Sequence, residues 1–313
     1  MCKYYIGYSA NSEIRFSSSS GGLGTAVIKY LLSTKEFGTT ITFEFNRERC
    51  QYEPKLIFNY ADYNNCGSIY QDIPLVSFVK SKINEIREGI VITCMPCQVK
   101  PIKNMLDRRQ IKYFIISLCC SGQTTVEGTW YYYKLLKIDK KNIIHMQYRG
   151  NGWPSGIKIT MNDGSIIEKR NYAYPWTIMH KSLLFRPKRC LFCTQKTTKE
   201  CDISLADPWL KEYIEKDKIG NSIVIASSEY GDSIIKKMTE ESEIKMKEIN
   251  ESVYVESQLG TIESKAKSLN HRRFNKIVSA MGEEKSLYKK IATSSVFCIK
   301  AHNRLIRHLY KSL

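Results

Sequence analysis

Two strand-to-helix junctions in the middle of the chain both turn on cysteine. An apolar run, Ile90–Cys94, leads straight into Cys94-Met95-Pro96-Cys97-Gln98 and a helix over about 98–110. A second run, 113–119, ends in Cys119-Cys120-Ser121-Gly122 and is followed by a helix over about 124–138. Strand–loop–helix repeated in this way predicts a βαβ unit. Its parallel strands are joined by a right-handed crossover, because twisted strands and helices pack back onto a sheet in that hand. Both cysteine loops then lie at the carboxyl ends of neighbouring strands, the edge where open α/β sheets bind ligands.

The flanking sequence extends the pattern. Residues 3–9 read as a first strand, followed by Ser17-Ser18-Ser19-Ser20-Gly21-Gly22 and a helix marked by Leu23, Ala26, Val27, Tyr30 and Leu31. A Ser/Gly loop opening into a helix presents N–H groups and hydroxyls at the positive helix end, which suits phosphate or pyrophosphate. Simple N-capping by Ser20 explains the same residues. Strands are expected at 40–45 and 55–60, and Gly67-Ser68-Ile69-Tyr70 precedes a helix at about 75–87. A strand at 142–148 runs into Arg149-Gly150-Asn151-Gly152-Trp153-Pro154. Alternating Ile157, Ile159 and Met161 before Asn162-Asp163-Gly164 predict a β-hairpin. Residues 174–189 read as irregular, 222–226 as a last strand and 231–238 as the start of a helix. Beyond about 240 the chain is highly charged and mostly helical in pattern. The expected fold class is α/β: a mixed, largely parallel sheet with flanking helices, a β-hairpin insertion and a basic helical C-terminal extension. Its expected divisions are 1–88, 89–240 and 241–313.

The 313 residues suffice for one large or two modest domains, and no 18-residue apolar run suggests a membrane span. The first 20 residues lack the apolar core of a signal peptide, so a cytoplasmic protein is expected. Eleven cysteines in that compartment argue for metal, cluster or redox work rather than a disulfide framework. The net charge is +17, and residues 261–313 carry 12 Lys+Arg against three Glu, a surplus of +9. Such a tail can face nucleic acid, an anionic membrane surface or an acidic protein, or be a solvated basic helix pair.

Cys94 and Cys97 form one Cys-x2-Cys pair, and Cys190 and Cys193 another; Cys119 and Cys120 add a third loop. Cys2, Cys50, Cys66 and Cys298 have no partner spacing and read as packing. Two such pairs can hold a tetrahedral zinc, and three loops supplying four thiolates can hold a 4Fe–4S cluster. Residue types leave cluster, zinc and buried structural thiols all open. The adjacent strand ends and the long separation of the two pairs lean toward a cluster.

At this point the motifs match a known family in order. They are Arg15 with Ser18-Ser19-Ser20-Gly21-Gly22; Gly67-Ser68-Ile69-Tyr70; Pro96-Cys97-Gln98; Leu118-Cys119-Cys120-Ser121-Gly122; Tyr148-Arg149-Gly150-Asn151-Gly152-Trp153; Arg189-Cys190-Leu191-Phe192-Cys193; Asp202-Ile203-Ser204 with Ala206-Asp207-Pro208-Trp209; and Gly220-Asn221-Ser222. Over about residues 4–235 the chain resembles the beta subunits of coenzyme F(420)-reducing hydrogenase and formate dehydrogenase, which are iron–sulfur flavoproteins. The resemblance implies that Cys97, Cys120, Cys190 and Cys193 ligate one 4Fe–4S cluster. It implies FAD binding by Ser18, Ser19, Ser20, Gly21, Gly22, Gly67, Ser68, Tyr70, Gln98, Arg149 and Trp153. Residues 1–88 would be the flavin-binding region and 89–240 the region carrying the cluster cysteines. The Asp202–Trp209 run would lie near both cofactors.

Five departures stand out. Ser121 replaces the family's His, Cys94 and Met95 replace Gly and Thr, Cys201 replaces Ala, and Ala206 replaces Gly. Many relatives carry an N-terminal ferredoxin module with a Cys-x2-Cys-x2-Cys-x3-Cys-Pro run, which this sequence does not show, so electrons are expected from a separate carrier, ferredoxin or deazaflavin. Lys188 and Arg189 beside the ligands would favour the reduced cluster, and a basic surface would suit acidic ferredoxin. The resemblance is strongest to short bacterial forms associated with surface-polysaccharide genes, which implies an oxidoreductase step on a small-molecule or sugar substrate. Nucleic acid is not the expected partner, while the basic tail leaves a membrane surface open. The rival readings are a zinc-stabilised, non-enzymatic binding protein and a redox-inactive scaffold relative. No catalytic acid or base can be named; His145 and His180 read as structural or surface histidines.

Overall fold

The computed structural model describes residues 2–170 and 173–312. Its strands are β1 (Lys3–Ser9), β2 (Thr39–Asn46), β3 (Gln51–Ile57), β4 (Ile90–Cys94), β5 (Tyr113–Leu118), β6 (Ile143–Gln147), β7 (Gly156–Met161), β8 (Ile166–Arg170), β9 (Ile203–Ala206), β10 (Ser222–Ala226) and β11 (Ile244–Ile249). Its α-helices are α1 (Ser12–Ser17), α2 (Leu23–Ser33), α3 (Leu75–Lys82), α4 (Pro96–Arg108), α5 (Val126–Leu135), α6 (Trp176–His180) and α7 (Lys188–Leu191). They continue with α8 (Lys211–Lys216), α9 (Glu229–Glu240), α10 (Glu251–Ser257), α11 (Leu259–Asn270), α12 (Arg272–Met281), α13 (Leu287–Ala292) and α14 (Val296–Ser312).

Eight strands form one mixed sheet in the order β11-β1-β10-β9-β5-β4-β2-β3. Its middle, β2-β4-β5-β9, is parallel, and the remaining neighbours pair antiparallel. This is the expected α/β architecture. The parallel strands are buried on both faces, as such strands must be when helices cover each side. Val91, Phe114 and Ile116 join α2 and α9 in one apolar cluster. Ile90, Ile92 and Ile115 join α3 and α4 in another on the opposite face. The edge strands carry features that discourage further pairing: Pro54 in β3, and Lys245, Lys247 and Glu248 in β11.

The expected hairpin is present as β7–β8, and β6 completes a three-stranded antiparallel sheet with it. A separate core joins that sheet to α5, α6 and the C-terminal helices through Tyr132, Tyr133, Tyr148, Trp176 and Ile299. Two strands were not expected. β9 has four residues, too short to show a period, and β11 (IKMKEI) lies in a stretch charged enough to read as helix. The chain beyond 250 is helical as expected. It packs on the rest through named contacts: Asn275 Nδ2 donates to Leu191 O (2.9 Å), and His302 Nε2 meets Ser182 O (2.7 Å). No helix among the described residues is long and apolar enough to cross a membrane.

Asp202 opens β9 and joins the sheet to α9. Its carboxylate accepts Ile115 N–H (2.8 Å) and Ser228 O–H (2.7 Å), and Ser228 caps α9. Asp232, on α9, accepts from Lys3 and Lys236 (both 2.9 Å) and from the Tyr5 hydroxyl. Burial opposes its ionisation, but those donors outweigh it and lower its pKa to about 2. The folded chain therefore favours the ionised form. That stability is present above the ordinary carboxylate range and is lost as pH falls toward 2. Asp232→Asn should lower the unfolding free energy at pH 7 by about 1 kcal/mol after solvent screening. Near pH 2 variant and wild type should converge. Denaturant titrations at the two pH values check this.

Candidate cluster and cofactor site

The carboxyl ends of β4, β5 and β9 lie level, because Cys94 pairs with Ser117 and Leu118 with Leu205. The loops leaving these ends supply the two upstream thiols. Pro96 opens α4 at a position where a missing N–H is no loss. Oε1 of Gln98 accepts Met95 N–H (2.9 Å) to complete the cap, which sets Cys97 in the first turn, exposed. Cys119 N–H donates to Leu205 O (2.7 Å) and Cys120 N–H to Lys196 O (2.8 Å), so the β5 loop is clamped on both sides. Cys190 lies within α7 and Cys193 just beyond it. That turn rests against Val278 and Ile306 of the C-terminal helices.

Cys97, Cys120, Cys190 and Cys193 line one cavity of about 300 Å³, together with Met95, Gln123, Phe192 and Lys265. Cys97 and Cys120 each sense the groups around them. Burial pushes the Cys97 thiol up, the Arg189 guanidinium pulls it down, and the Cys193 and Cys190 thiols push it up. Burial also raises Cys120, the Lys265 ammonium opposes this, and Cys190 and Cys97 add to it. Arg189 itself is paired with Asp72 (3.0 Å between Nη1 and Oδ2). Among the described residues no three ligand-type side chains meet closely enough for a single ion. The thiols instead ring a space. Four thiol donors around a cavity fit a cubic iron–sulfur cluster, which takes four thiolates.

A second cavity, about 290 Å³, adjoins the first. Met95, Cys120 and Gln123 belong to both walls. Of the residues expected at a cofactor, Ser18, Ser19, Ser20, Gly22, Gly67, Ser68, Tyr70, Gln98 and Arg149 line it. Gly22 adopts φ 77° as the N-cap of α2, and no side chain caps that helix end, which opens onto this cavity through Leu23, Gly24 and Thr25. This donor set fits a pyrophosphate.

Two expected residues lie elsewhere. Gly21 is part of the sheet's edge: its N–H donates to Ser222 Oγ (2.9 Å), and a Cβ there would stand 2.6 Å from Gly7 O. Its glycine is demanded by backbone approach. Trp153 is buried behind the wall, its ring 5.2 Å from that of Trp209, which does line the cavity. The serine hydroxyls also serve the loops themselves. Ser19 Oγ accepts Ser68 N–H, Ser20 Oγ donates to Asn221 O, and Asn65 Nδ2 donates to Ser17 and Ser18. Buried Arg149 joins the Ser19 carbonyl to Asp207 (2.7 Å). Asp202, expected near the cofactors, faces α9 instead, whereas Asp207 and Trp209 of the same run reach the cavity.

Among the substituted positions, Ser121 is exposed at the cavity mouth, while Cys94 and Cys201 share the core beneath α3 and α4. Cys201 is absent from both cavity walls; its thiol is held by Thr198 O (3.3 Å) and Ser204 Oγ (3.2 Å). His180 is buried beside Trp176, and burial lowers its pKa to about 3. It is a neutral core residue, as the sequence suggested. Asn65, Gln258, Thr261 and Lys265 were not anticipated. Asn65 sits in a loop with no pattern, and the others belong to α11 and the turn before it, a stretch whose charge reads as a solvated face.

Residues 4–80 match the N-terminal model of the coenzyme F(420) hydrogenase/dehydrogenase beta subunit, and residues 87–252 match its C-terminal model. No curated protein matches the chain. Among solved structures, a chain of the F(420)-reducing nickel–iron hydrogenase complex from Methanosarcina barkeri, studied by xenon derivatization, has a similar fold, with a TM-score of 0.65 at 17% identity. The likeness covers 87% of this chain and 92% of that one. With both models matched in order along most of its length, the chain belongs to the coenzyme F(420) hydrogenase/dehydrogenase beta subunit family.

Proposed function

We propose that the protein is an iron–sulfur flavoprotein oxidoreductase, moving electrons between a separate carrier and a substrate through one 4Fe–4S cluster and FAD. The observation that carries this reading is the shared wall: Cys120, Met95 and Gln123 face both cavities. Two redox groups held there would be near neighbours. When bound, the flavin supplies hydride or two-electron chemistry and the cluster one-electron exchange.

The chain's own residues then have distinct roles. Cys97, Cys120, Cys190 and Cys193 hold the cluster. The open end of α2 and the Gly67–Tyr70 loop receive the pyrophosphate. Arg149 keeps the Ser19 loop registered against Asp207. Exposed Cys97, with Lys188 and Arg189 exposed nearby, marks the face for a carrier, and that charge suits an acidic protein such as ferredoxin. The solved neighbour belongs to a hydrogenase complex, which supports a protein partner. The substrate is proposed to be sugar-derived, in surface-polysaccharide metabolism, on the sequence resemblance alone; turnover of nucleotide sugars with reduced ferredoxin tests that part.

Protein purified without oxygen should carry about four irons and an oxidised-flavin absorbance. Cys120→Ser and Cys193→Ser should each remove more than half of the iron, whereas Cys201→Ala should leave it unchanged. A colourless protein with one zinc would sink the reading in favour of the binding-protein rival. Flavin content gives a second check. At Gly67, φ is 67° and a Cβ would stand 2.4 Å from Arg149 O and 2.7 Å from Ser19 Oγ. Gly67→Ala should displace both loops and lower flavin affinity about tenfold, the equivalent of 1–2 kcal/mol of backbone strain. Its far-ultraviolet circular dichroism should match wild type.

A further inference from the structure

The family match ends at residue 252, yet the chain beyond it reaches both cavities. Gln258 and Thr261 line the serine-loop cavity beside Asp207, and Lys265 lines the cysteine cavity. The spacing 258, 261, 265 puts all three on one side of α11 and the turn before it. The start of α11 is held there by Gln258, whose Nε2 donates to Asp207 O (2.6 Å) and whose Oε1 accepts from the Cys119 thiol (3.3 Å).

Lys265 is 5% exposed. Among the described residues no carboxylate forms an ion pair with it. With no carboxylate partner and its charge close enough to act on the Cys120 thiol, this lysine is placed to meet an anion in that cavity. Among the described residues of the wall it shares, the four-thiol ring is what can supply negative charge. Arg189, the other cation on that wall, already has Asp72 as its partner. We infer that Lys265 is the counter-charge of the cluster, a positioning residue supplied by the segment outside the family match, and that it sets the potential at which the cluster accepts an electron.

This rests on the reading of the cysteine cavity as a cluster site. A cube bound by four thiolates is anionic when oxidised. Each electron delivered by a one-electron carrier adds one negative charge and takes up no proton. Lys265 therefore stabilises the reduced form more than the oxidised form, because its attraction scales with the charge it faces. A fixed cation this close makes the chain reducible by weaker donors.

The test is a spectroelectrochemical titration of anaerobically purified full-length wild type, Lys265→Gln and Lys265→Arg, with iron content measured for each. The Gln variant should show an equilibrium constant for one-electron reduction lowered about tenfold, a shift of about 59 mV to more negative potential. The Arg variant should stay near wild type. An unmoved potential in Lys265→Gln, or an equal shift in both variants, overturns the inference. If Lys265→Gln retains no iron, retention by Lys265→Arg supports a need for charge, and loss from both overturns it by making the role one of shape. Wild type without iron would instead remove the cluster reading beneath it.

Discussion

The parallel pairing of β4 with β5, and of β5 with β9, is the constraint on which the whole site depends. Ile90–Tyr113 through Cys94–Ser117 fixes one register, and Ile116–Ile203 through Leu118–Leu205 fixes the next. Apolar side chains on both faces lock these registers. A slip of one residue would send Ile90 and Ile92 to the face of α2 and α9, and Val91 to that of α3 and α4. Both faces are apolar, so the cost of a slip lies in packing: each side chain of the wrong size or shape in a filled core costs about 1–3 kcal/mol. With the register set, every chain leaving the strand ends emerges at one edge. Cys97, Cys120 and Asp207 arrive there together although they are far apart in sequence.

The second requirement is that irregular loops hold their shape without the sheet's ladder. Polar groups buried between them do this. Arg149 bridges the Ser19 carbonyl and Asp207, Asn65 binds the serine loop, and Ser68 N–H meets Ser19. Hydrogen bonds to charged groups are worth about 1.5–3 kcal/mol, and leaving a partner unpaired costs at least as much. The Cys190–Cys193 turn is held differently, by the C-terminal helices through Leu191, Val278, Ile306 and Asn275. A cofactor site assembled this way draws its walls from nearly the full length of the chain.

Some of this architecture was legible before any coordinates. β4 matched its expected bounds, because a continuous apolar run ending at a cysteine loop has few other uses. The β7–β8 hairpin was marked by alternation and Asn-Asp-Gly, and α2 by its apolar spacing. β9 and β11 were not legible, since one is too short for periodicity and the other is an edge strand dressed in charge. The serines line the cavity beside the cysteine site, but their own partners were not legible: their hydroxyls bind other loops, and Gly21 answers to Gly7 and Ser222. Trp153 looked like a contact and is instead the backing for Trp209.

What the sequence determined by itself was local and periodic: the strand–loop–helix order, the thiols at the strand ends and the spacing of Cys190 and Cys193. These follow from side-chain period and turn chemistry, which act between residues close along the chain. The tertiary structure alone decided that two Cys-x2-Cys elements are split between one cavity and the core. Cys97, Cys190 and Cys193 reach the cavity with Cys120, while Cys94 is buried beside Cys201 and borders the second cavity. It alone decided that Lys265, one basic residue among many in its helix, is buried against the thiols. Burial and electrostatic pairing depend on which distant segments meet, and that is settled only when the whole sheet and its covering helices are in place.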